Sequence, residues 1–255
     1  MFELHAASVL LQWATGGLFF CWVTTRHREV NLGYGWLLRI VYGLLAALSL
    51  FIGLRYGRQP IREAASAAVV LATGFALFSS MRKHEGRRDL ERFDPRLDLL
   101  APAAGLVGVV AAGVSSGDPA WLQVARIVVG GLFLGGISDG MLLGHWYLVQ
   151  PGLRRDRLNE MVRWTSLTWL PEVALLLVPT GMLSAFDGSI DDGYGGMLGW
   201  FWAACAVSTI VLLFVTKAAL KEREYAAVMA ATGLLYLAIL TGFGTDLVAR
   251  AILAL

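Results

Sequence analysis

Charged side chains are scarce in this sequence, and their scarcity limits the classes of protein that it can encode. Asp, Glu, Lys and Arg make up 16% of the 255 residues, whereas hydrophobic residues make up 57%. A typical soluble domain carries about a quarter charged residues. The net charge of +2 is also too small to indicate nucleic acid as a partner. The composition therefore argues against a soluble domain and against a nucleic-acid-binding protein.

Cysteine and the common cofactor motifs are also nearly absent. The two cysteines, Cys21 and Cys205, both lie in apolar runs, so we expect each to pack as a small apolar side chain without forming a disulfide. The sequence has no Walker loop, dinucleotide fingerprint or zinc-protease motif, and no cysteine cluster suited to an iron–sulfur centre. We therefore predict no metal centre. Whether the protein is an enzyme stays open.

Long apolar runs are what the sequence has instead. About 20 apolar residues in a helix, rising about 1.5 Å each, cross the hydrocarbon core of a lipid bilayer. Pro171 and Pro179 lie inside the sixth run and predict a kink or a locally opened helix there. The prediction is an all-α, polytopic transmembrane helical bundle, a single domain whose surroundings are the lipid bilayer. Its eight spans lie at about 7–25, 36–54, 64–81, 98–115, 121–149, 161–186, 197–217 and 226–254.

Basic residues favour one side of this bundle. Most of the 21 Lys and Arg residues fall in the odd-numbered connections between spans, whereas the fourth and sixth connections hold none. Short basic connections stay in the cytoplasm, so the odd connections are predicted to face it. An even number of spans then places both termini on the non-cytoplasmic side of the cell membrane. The second connection is an exception to this pattern, because it holds Arg55, Arg58 and Arg62.

A short similarity between the first and fifth runs indicates an internal repeat. Residues 16–20 read GGLFF and residues 130–134 read GGLFL, and both runs lead into a basic connection. Because four spans are an even number, two four-helix repeats covering 1–117 and 118–255 would have the same, parallel orientation in the membrane. The alternative is a chance match of five apolar residues.

Polar and ionisable residues concentrate in the fifth and sixth runs. Such groups are costly inside a bilayer, so they mark candidate functional sites. Thr165, Thr168 and Glu172 recur at i, i+3 and i+7 and therefore share one helix face. Asp139 and Glu172 are expected at similar depth on neighbouring helices, where two carboxyl groups could not both ionise easily. The predicted ligand or proton site consists of Asp139, His145, Glu172, Thr168, Thr165 and Ser138.

A structural interpretation of the same residues competes with this one. Asp139 and Glu172 could be hydrogen-bonded to hydroxyl or carbonyl groups and hold helices together. His145, followed by Trp146 and Tyr147, could belong to an aromatic belt at the membrane interface. The sequence alone leaves both interpretations open.

Two cofactors are compatible with the predicted site. A quinone headgroup suits a site that combines polar groups with aromatic walls. A single b-type haem would need His145 with either His27 or His84 as axial ligands near the cytoplasmic side. Two stacked haems are excluded, because only His5 lies toward the other side.

Three functions follow from these observations. The leading hypothesis is a quinone-linked or proton-handling subunit of a redox or respiratory assembly, with other membrane subunits as partners. The second is a small proton-coupled secondary transporter, which the repeat and the proline-broken sixth helix favour. The third is a non-catalytic structural or assembly subunit, which the glycine stripe Gly136, Gly140 and Gly144 favours because small residues let helices pack closely.

Overall fold

The computed structural model of this protein consists of α-helices and their connections. It describes residues 5–82, 94–117, 119–150, 152–186, 189–190 and 192–253. Those residues contain no strand, and the fold is the predicted all-α, polytopic helical bundle. The eight α-helices within them are α1 (Ala6–Thr25), α2 (Leu32–Tyr56), α3 (Pro60–Arg82), α4 (Leu100–Ser115), α5 (Ala120–Val149), α6 (Asp156–Leu177), α7 (Met197–Ala219) and α8 (Tyr225–Leu253).

Seven of the eight helices are long and apolar enough to cross a membrane, and α6 is the exception. The helix α6 begins at Asp156, ahead of the expected start, and its first turns carry Arg157, Glu160 and Arg163. These charged residues make α6 too polar to be counted among the helices that could cross a membrane. The prediction of about eight spans is therefore met by eight helices, of which seven have the length and composition of a spanning helix.

The sixth helix also ends earlier than the sequence predicted. It stops at Leu177, and Val178 adopts an extended backbone, with φ −93° and ψ 142°. Residues that precede proline favour this conformation, and Pro179 follows. A short 3₁₀ helix, Gly181–Ala185, comes next. The span predicted over 161–186 therefore opens near Pro179, where the sequence predicted a kink or a locally opened helix, and the α-helix does not extend to residue 186. Pro171, in contrast, lies inside the uninterrupted helix.

The chain divides into two compact units, and the division falls within α5. The N-terminal unit comprises residues 6–135 and 149–154, and the C-terminal unit comprises His5 with residues 136–148 and 155–253. The predicted repeat halves meet between residues 117 and 118, at a different point in the chain. The internal repeat itself stays a prediction.

The N-terminal unit is held together by close helix packing. Each helix from α1 to α4 contacts the next, and α4 also contacts α1. The first half of α5 crosses α1 where the two backbones touch, because a Cβ atom on Gly16 would overlap the carbonyl group of Gly131 and one on Gly135 would overlap Gly16. The two segments whose sequences resemble each other therefore pack against one another. Cys21 is buried in this unit and Cys205 in the other, which agrees with the expectation that each packs as a small apolar side chain.

The C-terminal unit combines α6, α7, α8 and the second half of α5. The predicted glycine stripe is buried, and α8 approaches it closely: a Cβ on Gly144 would lie 3.0 Å from the Thr232 hydroxyl oxygen. One end of the unit is closed by a hydrophobic cluster, called the apolar cap below. Its buried members are Leu176, Met182, Ala185, Trp202, Ala249 and Ile252.

Candidate functional site

Four ionisable side chains have no solvent-exposed surface in the C-terminal unit. They are Asp139 on α5, Glu172 on α6, and Asp246 and Arg250 on α8. Asp139 and Glu172 were predicted from the sequence to be functional, and their complete burial agrees with an interior position. Burying a charge is costly unless an opposite charge or hydrogen bonds compensate it, so the surroundings of these four groups decide what they can do.

Asp246 and Arg250 form an ion pair within one helix. The Arg250 Nε donates to the Asp246 Oδ2 over 2.7 Å, one turn apart on α8. Side chains four residues apart on a helix are neighbours, so this contact follows from sequence spacing. Arg126, near the start of α5, is buried in the N-terminal unit. The pair Asp246–Arg250 is therefore local to α8.

Glu172, on a different helix, also acts on this pair through its charge. The charge of its carboxyl group affects the Arg250 guanidinium less strongly than that of Asp246 does, so two carboxyl groups act on one buried cation. We call Glu172, Asp246 and Arg250 the charge cluster. Among the described residues of the C-terminal unit, Arg250 is the only buried basic side chain. The cluster thus joins α6 to α8 through charge.

The charge cluster lies near the ends of its helices, not at their midpoints. Glu172 is only about 8 Å from the end of α6, at about 1.5 Å per residue, and Arg250 lies within the last turn of α8. The sequence placed Glu172 near mid-span because it extended the sixth helix to residue 186. Leu176, one turn beyond Glu172, and Ala249, next to Arg250, belong to the apolar cap. The cap, which includes Met182 and Ala185 of the connection that follows α6, therefore lies next to the cluster.

The predicted polar stripe on α6 is present and buried. The Thr165 hydroxyl donates to the Met161 carbonyl oxygen at 2.9 Å, and the Thr168 hydroxyl donates to the Thr165 carbonyl oxygen at 3.0 Å. Each hydroxyl proton is thus directed to the helix backbone, while the oxygen lone pairs can still accept a hydrogen bond. Ser138, on α5, is also buried.

His145 has surroundings different from those of the buried acids. It is exposed, and its Nδ1 lies 3.1 Å from the Tyr236 hydroxyl oxygen on α8. Six residues along a helix turn the side chain by about 120° relative to Asp139, so the two residues lie on different faces of α5. The sequence did not identify Tyr236, which is also exposed, because a lone tyrosine in an apolar helix carries no motif.

Of the other two predicted haem ligands, His27 is among the described residues. His27 is exposed in the connection after α1, where its Nε2 accepts a hydrogen bond from the Arg26 Nε at 3.0 Å. His84 lies outside the described residues, so the haem stays a prediction. The part of the chain that the structure describes contains no group of three or more His, Cys, Asp or Glu side chains that could hold a metal ion.

Of the aromatic residues expected around the site, Trp169 has a defined structural contact. Its indole Nε1 donates to the Ala206 carbonyl oxygen at 3.0 Å, which ties α6 to α7. Trp164 is exposed on the surface of α6. These two residues therefore do not form one continuous aromatic wall around the buried acids.

Two buried ion pairs in the N-terminal unit were missed by the sequence analysis. The Arg39 Nη2 lies 2.6 Å from the Asp98 Oδ2, which joins α2 to the 3₁₀ turn before α4. The Arg62 Nη2 lies 2.7 Å from the Glu63 Oε1 at the start of α3. Sequence counting had treated these residues as charges of the connections. The apolar residues that surround Arg39 in the sequence were the signal that it is buried.

The carboxylate of Asp192, in the connection before α7, has a structural role. It accepts hydrogen bonds from three backbone N–H groups, those of Gly196 at 2.8 Å, Tyr194 at 2.9 Å and Leu198 at 2.8 Å. These donors, with Gly196 the strongest, hold the pKa of Asp192 below its ordinary value. The carboxylate thereby satisfies backbone groups at the beginning of α7, which a helix cannot satisfy internally.

Comparisons with known proteins do not name a function for the charge cluster. The chain matches no protein-family model, no curated protein and no solved structure. A function must therefore be argued from the chemistry of the site itself, because a helical bundle as such supports many functions.

Proposed function

We propose that this protein is a proton-handling subunit of a membrane redox assembly, in which Glu172 takes up and releases a proton. The observation that supports the proposal is the composition of the charge cluster. Two carboxyl groups, from Glu172 and Asp246, act on the single guanidinium of Arg250, and none of the three side chains has exposed surface.

Charge balance supports Glu172 as the group that changes its protonation state. With both carboxyl groups ionised the cluster carries one net negative charge, whereas one bound proton makes it neutral. A low-dielectric interior favours the neutral arrangement. Asp246 already accepts a direct 2.7 Å hydrogen bond from Arg250, so we assign the proton to Glu172.

A route for the proton would follow the buried face of α6. Thr168 and Thr165 lie one and two turns from Glu172 toward the start of the helix, and both are buried. Their oxygen atoms can accept hydrogen bonds from water or from a protonated carboxyl group. Asp139, buried on α5, is a third buried carboxyl group of the same unit. The opposite direction leads into the apolar cap, which consists of hydrophobic residues, so proton exchange is expected from the Thr165 side.

Infrared difference spectroscopy of the full-length protein in lipid tests this proposal. The wild-type protein should show the carbonyl band of a protonated carboxylic acid, and Glu172→Gln should remove it. The control is Glu160→Gln, on the same helix, where the carboxylate is partly exposed and pairs with Arg157 at 2.7 Å. A band that persists unchanged in Glu172→Gln would overturn the proposal.

A proton-coupled transporter is the second candidate. It is favoured by the break in α6 after Leu177, because transporters build their sites at interrupted helices. Proteoliposomes with an imposed pH gradient would then accumulate a solute from a panel of labelled amino acids and sugars, and Glu172→Gln would abolish that uptake. If every Glu172 variant keeps the activity of the wild-type protein, the structural or assembly role is favoured instead.

A further inference from the structure

The N-terminal unit contains a cavity that the charge cluster does not involve. It has a volume of about 440 Å³ and lies between α1, α4 and the first half of α5. Of the described residues that line it, none is ionisable, and Gln12 and Thr15 are the only polar ones. Gln12 is completely buried, and the Thr15 hydroxyl donates to the Leu11 carbonyl oxygen at 2.7 Å. The cavity surface is therefore almost wholly apolar, and so should be the part of the occupant that lies inside it.

The cavity is as long as one leaflet of a membrane is thick. Its lining residues on the helical segment Leu97–Ser115 run from Leu99 to Val109, and ten residues at about 1.5 Å each give about 15 Å. The hydrocarbon core of a bilayer is about 30 Å thick, so one leaflet accounts for about half of it. An apolar cavity of about 150 Å³ holds one benzene molecule, and by the same ratio this cavity holds roughly 18 carbon atoms. Length and volume both match a single acyl chain.

The exposure of the lining falls from one end of the cavity to the other. Leu99, Ala103 and Leu106 are exposed, whereas Val109 is only 2% exposed. A Cβ atom on Gly113 of α4 would overlap Val124 of α5, so the start of α5 lies beside the end of α4. Ile127, one turn beyond Val124, therefore belongs to the same end as Val109, and it is completely buried. The cavity thus opens sideways onto the surface of α4 and is closed at its far end.

The open end of the cavity begins next to a charged turn. Asp94 and Arg96 are exposed immediately before the segment Leu97–Ser115, which has the length and composition of a spanning helix. Charged residues that flank a span lie at the level of the lipid headgroups. Leu99 is then the lining residue nearest the headgroups, and Val109 lies deep in the hydrocarbon core.

We propose that this cavity binds one acyl chain of a membrane phospholipid, with the ester end of the chain near Leu99 and its methyl end near Val109. The walls gain dispersion contacts with the chain that an empty space does not provide. A helix of another protein is too wide, because volume divided by length gives a cross-section of about 30 Å², less than half that of a helix about 10 Å across. The inference rests on the N-terminal unit alone and is independent of proton exchange at Glu172.

A phospholipid with a photoreactive diazirine near the methyl end of one acyl chain tests the inference, using the full-length protein in phospholipid nanodiscs. After illumination, peptide mass spectrometry should find the label on Val109 and Ile127, which surrounding lipid does not reach because both side chains are buried. Ala103→Phe fills the cavity from an exposed position and should lower this labelling about tenfold. Val107→Phe is the matched control, since Val107 is exposed on the same helix but does not line the cavity; it should leave the labelling unchanged.

Two results would overturn the inference. One is equal labelling of Val109 and Ile127 in Ala103→Phe and Val107→Phe. The other is a label confined to exposed residues such as Val107 in the wild-type protein, which would show that lipid touches α4 from outside only. If Ala103→Phe fails to fold, Val128→Phe narrows the cavity from α5 and should lower the labelling in the same way. Glu172→Gln should be labelled like the wild type, so this test and the test of proton exchange fail or succeed separately.

Discussion

The buried ion pairs of the two units differ in charge balance. In the N-terminal unit, Arg39 pairs with Asp98 and Arg62 pairs with Glu63, one cation to one anion. In the C-terminal unit, two carboxyl groups act on the guanidinium of Arg250. Balanced pairs have nothing to gain from a proton, so they serve to fix helices in place. The unbalanced cluster would become neutral by binding one proton, which is the basis of the role that we propose for Glu172.

The largest expected effect comes from removing the cation of the unbalanced cluster. Arg250→Leu leaves Glu172 and Asp246 buried without it, and breaking a buried ion pair costs about 3–5 kcal/mol. Chemical denaturation in detergent should show this loss of unfolding free energy, together with greatly reduced expression. The matched change at an exposed arginine, Arg163→Leu, should cost little. If the two substitutions lower the free energy of unfolding equally, Arg250 does not compensate the buried carboxyl groups of the cluster.

The next prediction compares one chemical change at two places. Asp98→Asn removes the anion of a balanced pair and leaves Arg39 as an uncompensated buried charge, so it should destabilise the protein by about 3 kcal/mol. Glu172→Gln leaves the balanced pair Asp246–Arg250, so its cost should stay below about 1 kcal/mol. Thermal and denaturant unfolding of both variants measure the difference. A larger loss in Glu172→Gln than in Asp98→Asn would contradict the distinction between the units.

The smallest effect concerns a carboxylate outside the helices. Because the pKa of Asp192 is lower in the folded protein than its ordinary value of 3.8, ionised Asp192 stabilises the folded state at pH values well above 3.8. That contribution is lost as the pH falls through the lower, folded-state pKa. The difference in melting temperature between wild type and Asp192→Asn should therefore shrink in acid. Glu224→Gln, at an exposed position, serves as the control. A difference in melting temperature between wild type and Asp192→Asn that does not change with pH would refute the stabilising role of the Asp192 carboxylate.

The sequence predicted the helices well because each is a long apolar run with its own boundary signals. Its error at α6 concerns extent: Pro179 was expected to kink or locally open one span, whereas the helix ends at Leu177, before that proline. The pairing of Asp246 with Arg250 was predictable, since both lie on one helix at i, i+4.

Contacts between helices could not be predicted in the same way. The approach of Glu172 to Arg250 depends on how α6 and α8 pack, and no spacing within either helix encodes it. The same holds for the contact between Arg39 and Asp98, which are far apart in the chain, and for the cavity beside Gln12. Tertiary packing, not local pattern, decides which polar residues meet.

The contact of Gly16 with Gly131 and Gly135 constrains the order in which the protein can assemble. The helix α1 is synthesised first, but its partner surface on α5 emerges from the ribosome only after more than half of the chain has been made. Until α5 has been made, α1 lacks this close contact and can pack only against other helices. A bulky residue at Gly16 would therefore leave translation and early insertion of α1 intact, and the defect would arise only when α5 arrives.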